Sequence, residues 1–138
     1  MTGNLATARA FFEACETGQG WAACKPFCQT DAGFSAQSGA IAEITTLADY
    51  ADWMRGLLTM LTDGSYDLTS FAEDSERNTV AACAVFTGTH DGADGPVPAT
   101  GKRAKSDYAY IIQFEGDKIC HMTKIWNDGW ALKQLGWA

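Results

Sequence analysis

The spacing of the apolar residues changes once along the chain, and this change constrains the fold more than any other feature. In the first part they recur at helical spacing, over Leu5–Glu16, Trp21–Phe27 and Leu47–Leu61. Later segments are rich in β-branched and aromatic residues and are bounded by turn residues. Helices followed by a series of strands predict an α+β protein with helices on one face of an antiparallel sheet. The four predicted strands are Tyr66–Glu73, Thr79–His90, Arg103–Phe114 and Lys118–Trp126.

The connections support this reading. Glu115–Asp117 is short enough for a hairpin, so the last two strands should be antiparallel neighbours. Thr46 and Asp49 resemble a capping box at the start of the third helix, and a brief extended piece is expected over Phe34–Gln37. At 138 residues the chain has the usual size of one domain, so we expect a single domain over residues 1–138.

The net charge of −7 argues against two classes of partner. Nucleic acids and anionic membranes attract clustered Lys and Arg, and the chain has only ten such residues. The basic group Lys102, Arg103 and Lys105 is interpreted as a solvated strand edge. No stretch is long and apolar enough to span a membrane. We therefore expect neither nucleic-acid nor membrane binding.

The cysteines and histidines argue against disulfides and against a metal site. Five cysteines are scattered, and no basic segment followed by an apolar run precedes the first helix. Cys24 and Cys28 are four residues apart, but neither of the two histidines, His90 and His121, is near them in sequence. The expectation is a cytoplasmic protein with reduced thiols and no metal.

Motifs of common enzyme classes are absent, but strand alternation groups several candidate residues. The sequence has no G-x-S-x-G elbow, no Walker-type phosphate loop and no dinucleotide-binding glycine motif. On the last strand Met122, Lys124 and Trp126 share one face, and Tyr108 and Tyr110 share one face of its neighbour. His121 has the opposite parity and is expected at the surface or an interface.

Several short segments resemble the SnoaL-like polyketide cyclase family, whose members have the cone-shaped nuclear-transport-factor-2-like fold. These are Phe86–Gly92, Pro98–Arg103, Gly116–Ile119, Trp126–Asp128 and Leu132–Gly136. The resemblance implies a curved antiparallel sheet wrapped around the N-terminal helices and enclosing a pocket. It also implies an aldol ring closure without metal or organic cofactor, in which an aspartate handles the acidic C–H proton and a histidine assists.

Gly116–Ile119 and Leu132–Gly136 align with the family without gaps. This alignment places Lys124 where the resemblance implies the aspartate, and Tyr110 where it implies the histidine. An ammonium cannot replace a carboxylate base unless burial lowers its pKa well below roughly 10.4. Lys124 could bind a substrate carboxylate or enolate, or act as a nucleophilic amine. Alternatively, it extends to the pocket mouth or pairs with a carboxylate. His90 is a third catalytic candidate, or a loop histidine bonded to the backbone.

If the family's inward face applies, the pocket should bind a small apolar or carbonyl-containing organic ligand. The predicted ligand-binding residues are Tyr108, Trp126, Met122, Phe86, Trp53, Tyr50 and Trp21.

Two functions follow from these residues. The first is a small-molecule-binding protein that could act as a cofactor-independent lyase or isomerase, by proton transfer next to a carbonyl. The second is a non-catalytic metabolite-binding or dimeric interaction domain, which the replaced catalytic residues favour. The resemblance and the apolar second face of the sheet, with Val85, Ala109, Ile111 and Ile125, predict a homodimer.

Overall fold

The structure is a computed structural model that describes residues 3–93 and 95–138. Its helices and strands alternate only at the start of the chain, and four consecutive strands then precede the last helix. The elements are α1 Gly3–Glu16, α2 Trp21–Cys24, β1 Cys28–Ala36, α3 Leu47–Met60, β2 Ser65–Asp74, β3 Thr79–Thr89, β4 Arg103–Glu115, β5 Lys118–Trp126 and α4 Asp128–Leu135. A 3-10 turn, Lys25–Phe27, joins α2 to β1. The predicted α+β class is confirmed.

The five strands form one mixed sheet in the order β1-β5-β4-β3-β2. β2, β3, β4 and β5 are antiparallel neighbours, as predicted, whereas β1 pairs with β5 in parallel. The pairing brings Tyr110 directly opposite both Ala82 on β3 and Lys124 on β5. Register shifts interrupt three of these pairings, and such bulges bend the sheet.

Strand alternation divides the long strands between the interior and the outer surface. On β4 the residues from Ala104 to Phe114 with even numbers are buried, and most of those between them are exposed. Val80, Ala82 and Ala84 on β3 follow the same rule. The predicted inward faces are therefore confirmed, and the side chains that reach the helices come from these positions.

Helices α1 and α3 cover the inner face of the sheet. Phe11, Phe12 and Cys15 of α1 are fully buried, and Phe12 stacks 6.4 Å from Tyr108 between ring centroids. Thr46 caps α3 by accepting a hydrogen bond from the backbone of Asp49, as the sequence predicted. The core thus lies between two helices and the sheet, with aromatic rings at the contact.

Two elements differ from the expectation. The extended piece predicted over Phe34–Gln37 is the end of a nine-residue strand, β1. Its first half is polar because it lies at an edge of the sheet, so it shows no clear alternation. The second difference is helix α4, which the sequence analysis does not predict. Asn127 is its N-terminal capping residue, and Gly136 ends it in the left-handed conformation.

The connection between β3 and β4 is long. It spans residues 90–102, and Asp94 lies outside the described residues. Among the residues that the structure describes, no helix is both long enough and apolar enough to cross a membrane.

Candidate functional site

A row of hydrogen-bonded polar side chains crosses the middle of the core. The Lys124 ammonium donates to the Tyr50 hydroxyl at 2.9 Å. The Tyr50 and Tyr110 hydroxyl oxygens are 2.5 Å apart. Glu16 accepts from Tyr110 at 2.7 Å and from Tyr108 at 2.5 Å, one bond to each carboxylate oxygen. Five side chains from four elements therefore form one continuous network.

The fold fixes each member of this network. Glu16 is the last residue of α1, and Tyr50 lies in the first turn of α3. Tyr108 and Tyr110 are two residues apart on β4 and so point to the same side, and Lys124 is the cross-strand neighbour of Tyr110. Glu16 and Lys124 are 2% and 5% exposed, so the network lies in the interior of the protein.

Aromatic rings surround the ammonium of Lys124. Its Nζ atom lies 4.4 Å from the ring centroid of Trp126, and the rings of Tyr50, Tyr108, Trp53 and Tyr110 follow at 5.2 to 5.8 Å. The faces of such rings are electron-rich and attract a cation. No carboxylate forms an ion pair with Lys124 within residues 3–93 and 95–138. The groups in contact with the ammonium are thus aromatic rings and one hydroxyl.

Burial changes the acid–base properties of these groups. Desolvation lowers the pKa of Lys124 to about 8, although the nearby Glu16 opposes the change. Desolvation also raises the pKa of the Glu16 carboxyl, against the attraction of Lys124 and the hydrogen bonds from both tyrosines. Burial likewise raises the pKa of Tyr50 and Tyr110, so both hydroxyls stay protonated at neutral pH. The ammonium and the carboxyl are the groups that titrate nearest neutrality.

A small cavity adjoins Lys124, with a volume of about 40 Å³. Three polar side chains besides Lys124 reach its wall, those of Glu16, Ser106 and Tyr108. The rest of the wall is apolar and comes from α3, β3, β4, β5 and α4 and from the residues that follow α3 and α4. A water needs about 10–15 Å³ of such volume, so the cavity has room for a few waters. Ligand pockets usually measure roughly 300–1,000 Å³.

Helix α4 and the residues after it close one side of this cavity. Ala131, Leu132, Leu135 and Trp137 contribute to the wall. The indole N–H of Trp137 donates to Nδ1 of His90 at 2.8 Å. An indole nitrogen can only donate, so Nδ1 is the unprotonated nitrogen of His90 and the proton is on Nε2. The hydrogen bond between Trp137 and His90 thus holds the residues after α4 against the cavity.

The predicted site residues separate into two groups in the structure. Lys124 lines the cavity together with four predicted ligand-binding residues, Trp53, Phe86, Tyr108 and Trp126. The other predicted residues do not line it. Tyr110 and Tyr50 belong to the hydrogen-bond network, Met122 is buried in the core, Trp21 is partly buried beside it, and His90 is buried beneath Trp137.

Sequence reasoning missed Glu16 and Ser106. Glu16 follows Phe12 by four residues and therefore continues the apolar stripe of α1. A carboxylate on such a stripe is a signal of a buried polar partner. Ser106 shares the inward parity of Tyr108 and Tyr110 on β4, which was the available signal for it.

The remaining clusters of potential ligands are small. Cys28 donates through its thiol to the carbonyl oxygen of Cys24, and all five cysteines are free thiols. In the described part of the chain, no three His, Cys, Asp or Glu side chains converge as a metal site.

Fold and site together define a class: an α+β protein with a curved sheet around its helices and a polar group at the inner end of a small cavity. The sequence matches the model of the SnoaL-like polyketide cyclase family over residues 6–135. The chain belongs to the SnoaL-like polyketide cyclase family, and the predicted family is confirmed.

Solved structures agree with this fold. The hydroxylase candidate AclR from Streptomyces galilaeus is 20% identical, with a TM-score of 0.76, over 95% of this chain and 79% of that one. The polyketide cyclase candidate IdmH from Streptomyces antibioticus is 20% identical, with a TM-score of 0.73, over 95% and 96%. A nuclear-transport-factor-2-like protein from Burkholderia thailandensis is 16% identical, with a TM-score of 0.76, over 97% and 98%. At these identities the similarity shows the fold alone. The comparison with curated proteins gave no match.

Proposed function

We propose that this chain binds a small carbonyl-containing organic molecule and catalyses proton transfer next to the carbonyl, without a cofactor, as a lyase or isomerase. One observation carries the proposal: the amine of Lys124 is buried at the wall of an otherwise apolar cavity and makes no ion pair with a carboxylate among the described residues. A buried amine of lowered pKa is suited to general-base work near neutral pH.

The roles follow from which atoms reach the cavity. As a free amine, Lys124 accepts a proton from the carbon next to the carbonyl, and the C–H electron pair becomes the C=C bond of an enolate. Ser106 accepts a hydrogen bond from the indole of Trp126 at 3.2 Å, which leaves its hydroxyl hydrogen for the enolate oxygen. Lys124, now an ammonium, also stabilises that oxygen. Lys124 and Ser106 are therefore the proposed catalytic residues.

Tyr110, which the sequence proposed as catalytic, has a different role here. Its hydroxyl lies between Tyr50 and Glu16 and does not reach the cavity wall. We assign it as a positioning residue that acts on Lys124 through Tyr50. His90 receives no role in proton transfer, because it does not line the cavity and its Nδ1 accepts a hydrogen bond from Trp137.

Carbon-bound hydrogen exchange tests the proposal. A panel of small ketones and β-keto esters is incubated in D2O with the protein, and loss of the proton next to the carbonyl is followed by NMR. We expect the wild type to accelerate exchange for at least one compound, and Lys124→Met to lower the rate by about 100-fold or more. Lys133→Met changes an exposed lysine on α4 and is the control. Equal rates for wild type and Lys124→Met would exclude Lys124 as the base.

The second candidate is a non-catalytic metabolite-binding or dimeric interaction domain, and the small size of the cavity favours the interaction domain. A volume of about 40 Å³ admits no ligand larger than a few atoms unless α4 or an aromatic side chain moves. Native mass spectrometry of the purified protein separates a pocket function from an interaction module. A co-purifying organic compound supports a pocket function, and a ligand-free dimer supports an interaction module.

The outer face of the sheet supports the dimer as part of the proposal. Ile125 is 60% exposed and Ile111 is 37% exposed, and they lie beside Val85 and Ala109 on neighbouring strands. Exposed apolar side chains grouped on one face are typical of an interface. We expect Ile125→Glu to convert a dimer to a monomer in light scattering coupled to size-exclusion chromatography.

Free thiols in all five cysteines suit a reducing compartment, and we include a cytoplasmic location in the proposal.

A further inference from the structure

The hydrogen bonds between Lys124 and Glu16 have one consistent direction when both groups are charged. The ammonium of Lys124 can only donate, so Tyr50 accepts from it. The Glu16 carboxylate can only accept, so Tyr110 donates to it. Tyr110 has therefore used its hydrogen, and the hydrogen between the two hydroxyls comes from Tyr50. Every hydrogen in this series points from Lys124 toward Glu16.

The same series can reverse without losing a bond. One proton moves from Lys124 to Tyr50, a second from Tyr50 to Tyr110, and a third from Tyr110 to Glu16. Each tyrosine gains one proton and loses one. The products are a neutral amine and a neutral carboxylic acid, and the same three hydrogen bonds remain with their directions reversed. The reversal needs no solvent, and the adjoining cavity has room for only a few waters.

The surroundings bring these two forms close in energy. Burial in a low-dielectric interior disfavours two separated charges and favours the neutral pair. The five aromatic rings around Lys124 favour the ammonium, and the second hydrogen bond from Tyr108 favours the carboxylate. In agreement, desolvation lowers the pKa of Lys124 and raises that of Glu16, so the two values approach each other.

The other titratable groups that face this series stay neutral. From α1, Cys15 adjoins both Glu16 and Lys124, and its pKa is raised by a hydrogen bond with Cys24 of α2 and by burial. From β4, Tyr108 has a pKa raised by burial and by Glu16. The ammonium and the carboxyl therefore determine the charge of the network between acidic and moderately basic pH.

We propose that Lys124 and Glu16 share one proton across Tyr50 and Tyr110, so that Glu16 is the internal proton acceptor that frees the Lys124 amine. The inference deepens the proposed function, because it explains how a base can form inside a closed cavity. It is tested without any ligand, so either proposal can fail while the other stands.

Carbon-13 NMR of protein labelled at lysine and glutamate tests the shared proton. The ε-carbon of Lys124, assigned with Lys124→Met, and the δ-carbon of Glu16 are followed against pH. Interacting groups that share a proton titrate in common macroscopic steps. We expect two steps at both carbons, at the same two pH values. A single step at each carbon, each at its own pH, would overturn the proposal, and so would a Lys124 midpoint equal to that of the exposed lysines.

Two variants test the partner. Glu16→Gln keeps the shape of the side chain and removes its titration, and we expect Lys124 to lose its second step. Tyr108→Phe is the matched control, since Tyr108 donates to Glu16 but does not lead to Lys124. There the two steps should remain. Two steps at Lys124 in Glu16→Gln would contradict the proposal.

Relaxation dispersion tests the path through the tyrosines. In Tyr110→Phe the direct series is broken, and the proton must exchange through solvent, which is slower. We expect microsecond-to-millisecond exchange broadening at the Lys124 ε-carbon in Tyr110→Phe and not in Tyr108→Phe. Equal behaviour of these two variants would show that Tyr110 is not part of the path.

Discussion

The ammonium of Lys124 donates a 2.9 Å hydrogen bond to the hydroxyl of Tyr50, and this bond joins β5 to α3 in the centre of the core. Tyr50 is fully buried and Lys124 nearly so. Two further hydrogen bonds connect the pair to Glu16 on α1. The charge of one strand residue is therefore linked to two helices, and changes at Lys124 should affect stability as well as chemistry.

Removing one charge of the network should destabilise the protein more than removing both. Lys124→Met leaves the Glu16 carboxylate buried without the cation to which the two tyrosines connect it, and an uncompensated buried charge costs about 3–5 kcal/mol. We expect the free energy of unfolding, measured with urea at neutral pH, to fall by an amount in that range. In the double variant with Glu16→Gln the loss should be smaller, with a coupling energy of about 1–3 kcal/mol.

The exposed lysine of α4 supplies the control for this cycle. Lys133→Met should change the free energy of unfolding by less than about 0.5 kcal/mol. Additive effects of Lys124→Met and Glu16→Gln would mean that the two charges do not sense each other across the tyrosines.

The stability contributed by Lys124 should depend on pH above neutrality. Its pKa is lowered to about 8 in the folded protein, whereas an unfolded lysine has a pKa of roughly 10.4. Between these values the unfolded chain retains a proton that the folded protein has released, so the free energy of unfolding rises with pH. The wild type should therefore gain stability relative to Lys124→Met from about pH 8 to about pH 10.

The window ends near pH 10 because the unfolded lysine also loses its proton there, with a pKa of roughly 10.4. Burial raises the pKa of Tyr50 and Tyr110, so the folded protein keeps protons that the unfolded chain loses, and stability falls there in both proteins. Urea unfolding at half-unit pH intervals measures the difference between the two proteins. A difference that stays constant over the window would show that the pKa of Lys124 is not lowered.

The hydrogen bond between Trp137 and His90 should hold α4 in place. Trp137→Phe removes the indole donor and leaves Nδ1 of buried His90 with weaker partners, at a cost of about 1–3 kcal/mol. We expect faster amide hydrogen exchange in α4 and unchanged exchange in α1, as measured by mass spectrometry. Trp130→Phe is the control, because Trp130 is 58% exposed and its bond to the Lys105 carbonyl is 3.4 Å long. Equal effects of the two substitutions would contradict this role of Trp137.

The sequence predicted the regular elements better than the contacts between them. β5 has the predicted bounds, and α1, α3 and the other predicted strands differ from theirs by a few residues at most, because each has a clear period. The parallel pairing of β1 with β5 was not predicted, because it joins segments about ninety residues apart and β1 has a polar first half. Helix α4 was missed because its eight residues are too few to show a helical period.

In the candidate site, too, the positions of residues within one strand were predicted better than the contacts between elements. Strand parity placed Tyr108 and Tyr110 on one face of β4, and the family resemblance predicted that they and Lys124 point inward. All three are buried in the structure. Alternation along a strand cannot say which helix residue lies opposite, so Glu16 was not connected with Lys124. The closure of the cavity by Trp137 depends on how the chain turns after Gly136, which no local pattern encodes.

Two glycines near the end of α3 should respond oppositely to substitution by alanine. Gly56 lies within α3, and an added Cβ meets nothing within 4 Å. Gly56→Ala should therefore stabilise the protein by about 0.5–1 kcal/mol through helix propensity. Gly92 donates its N–H to the carbonyl of Met60, and an added Cβ would lie 2.1 Å from the carbonyl oxygen of Thr59. Gly92→Ala should destabilise the protein by about 1–3 kcal/mol, because backbone must move to relieve the clash. Thermal unfolding of the two variants measures both effects, and a neutral Gly92→Ala would show that the loop after β3 is not held against the end of α3.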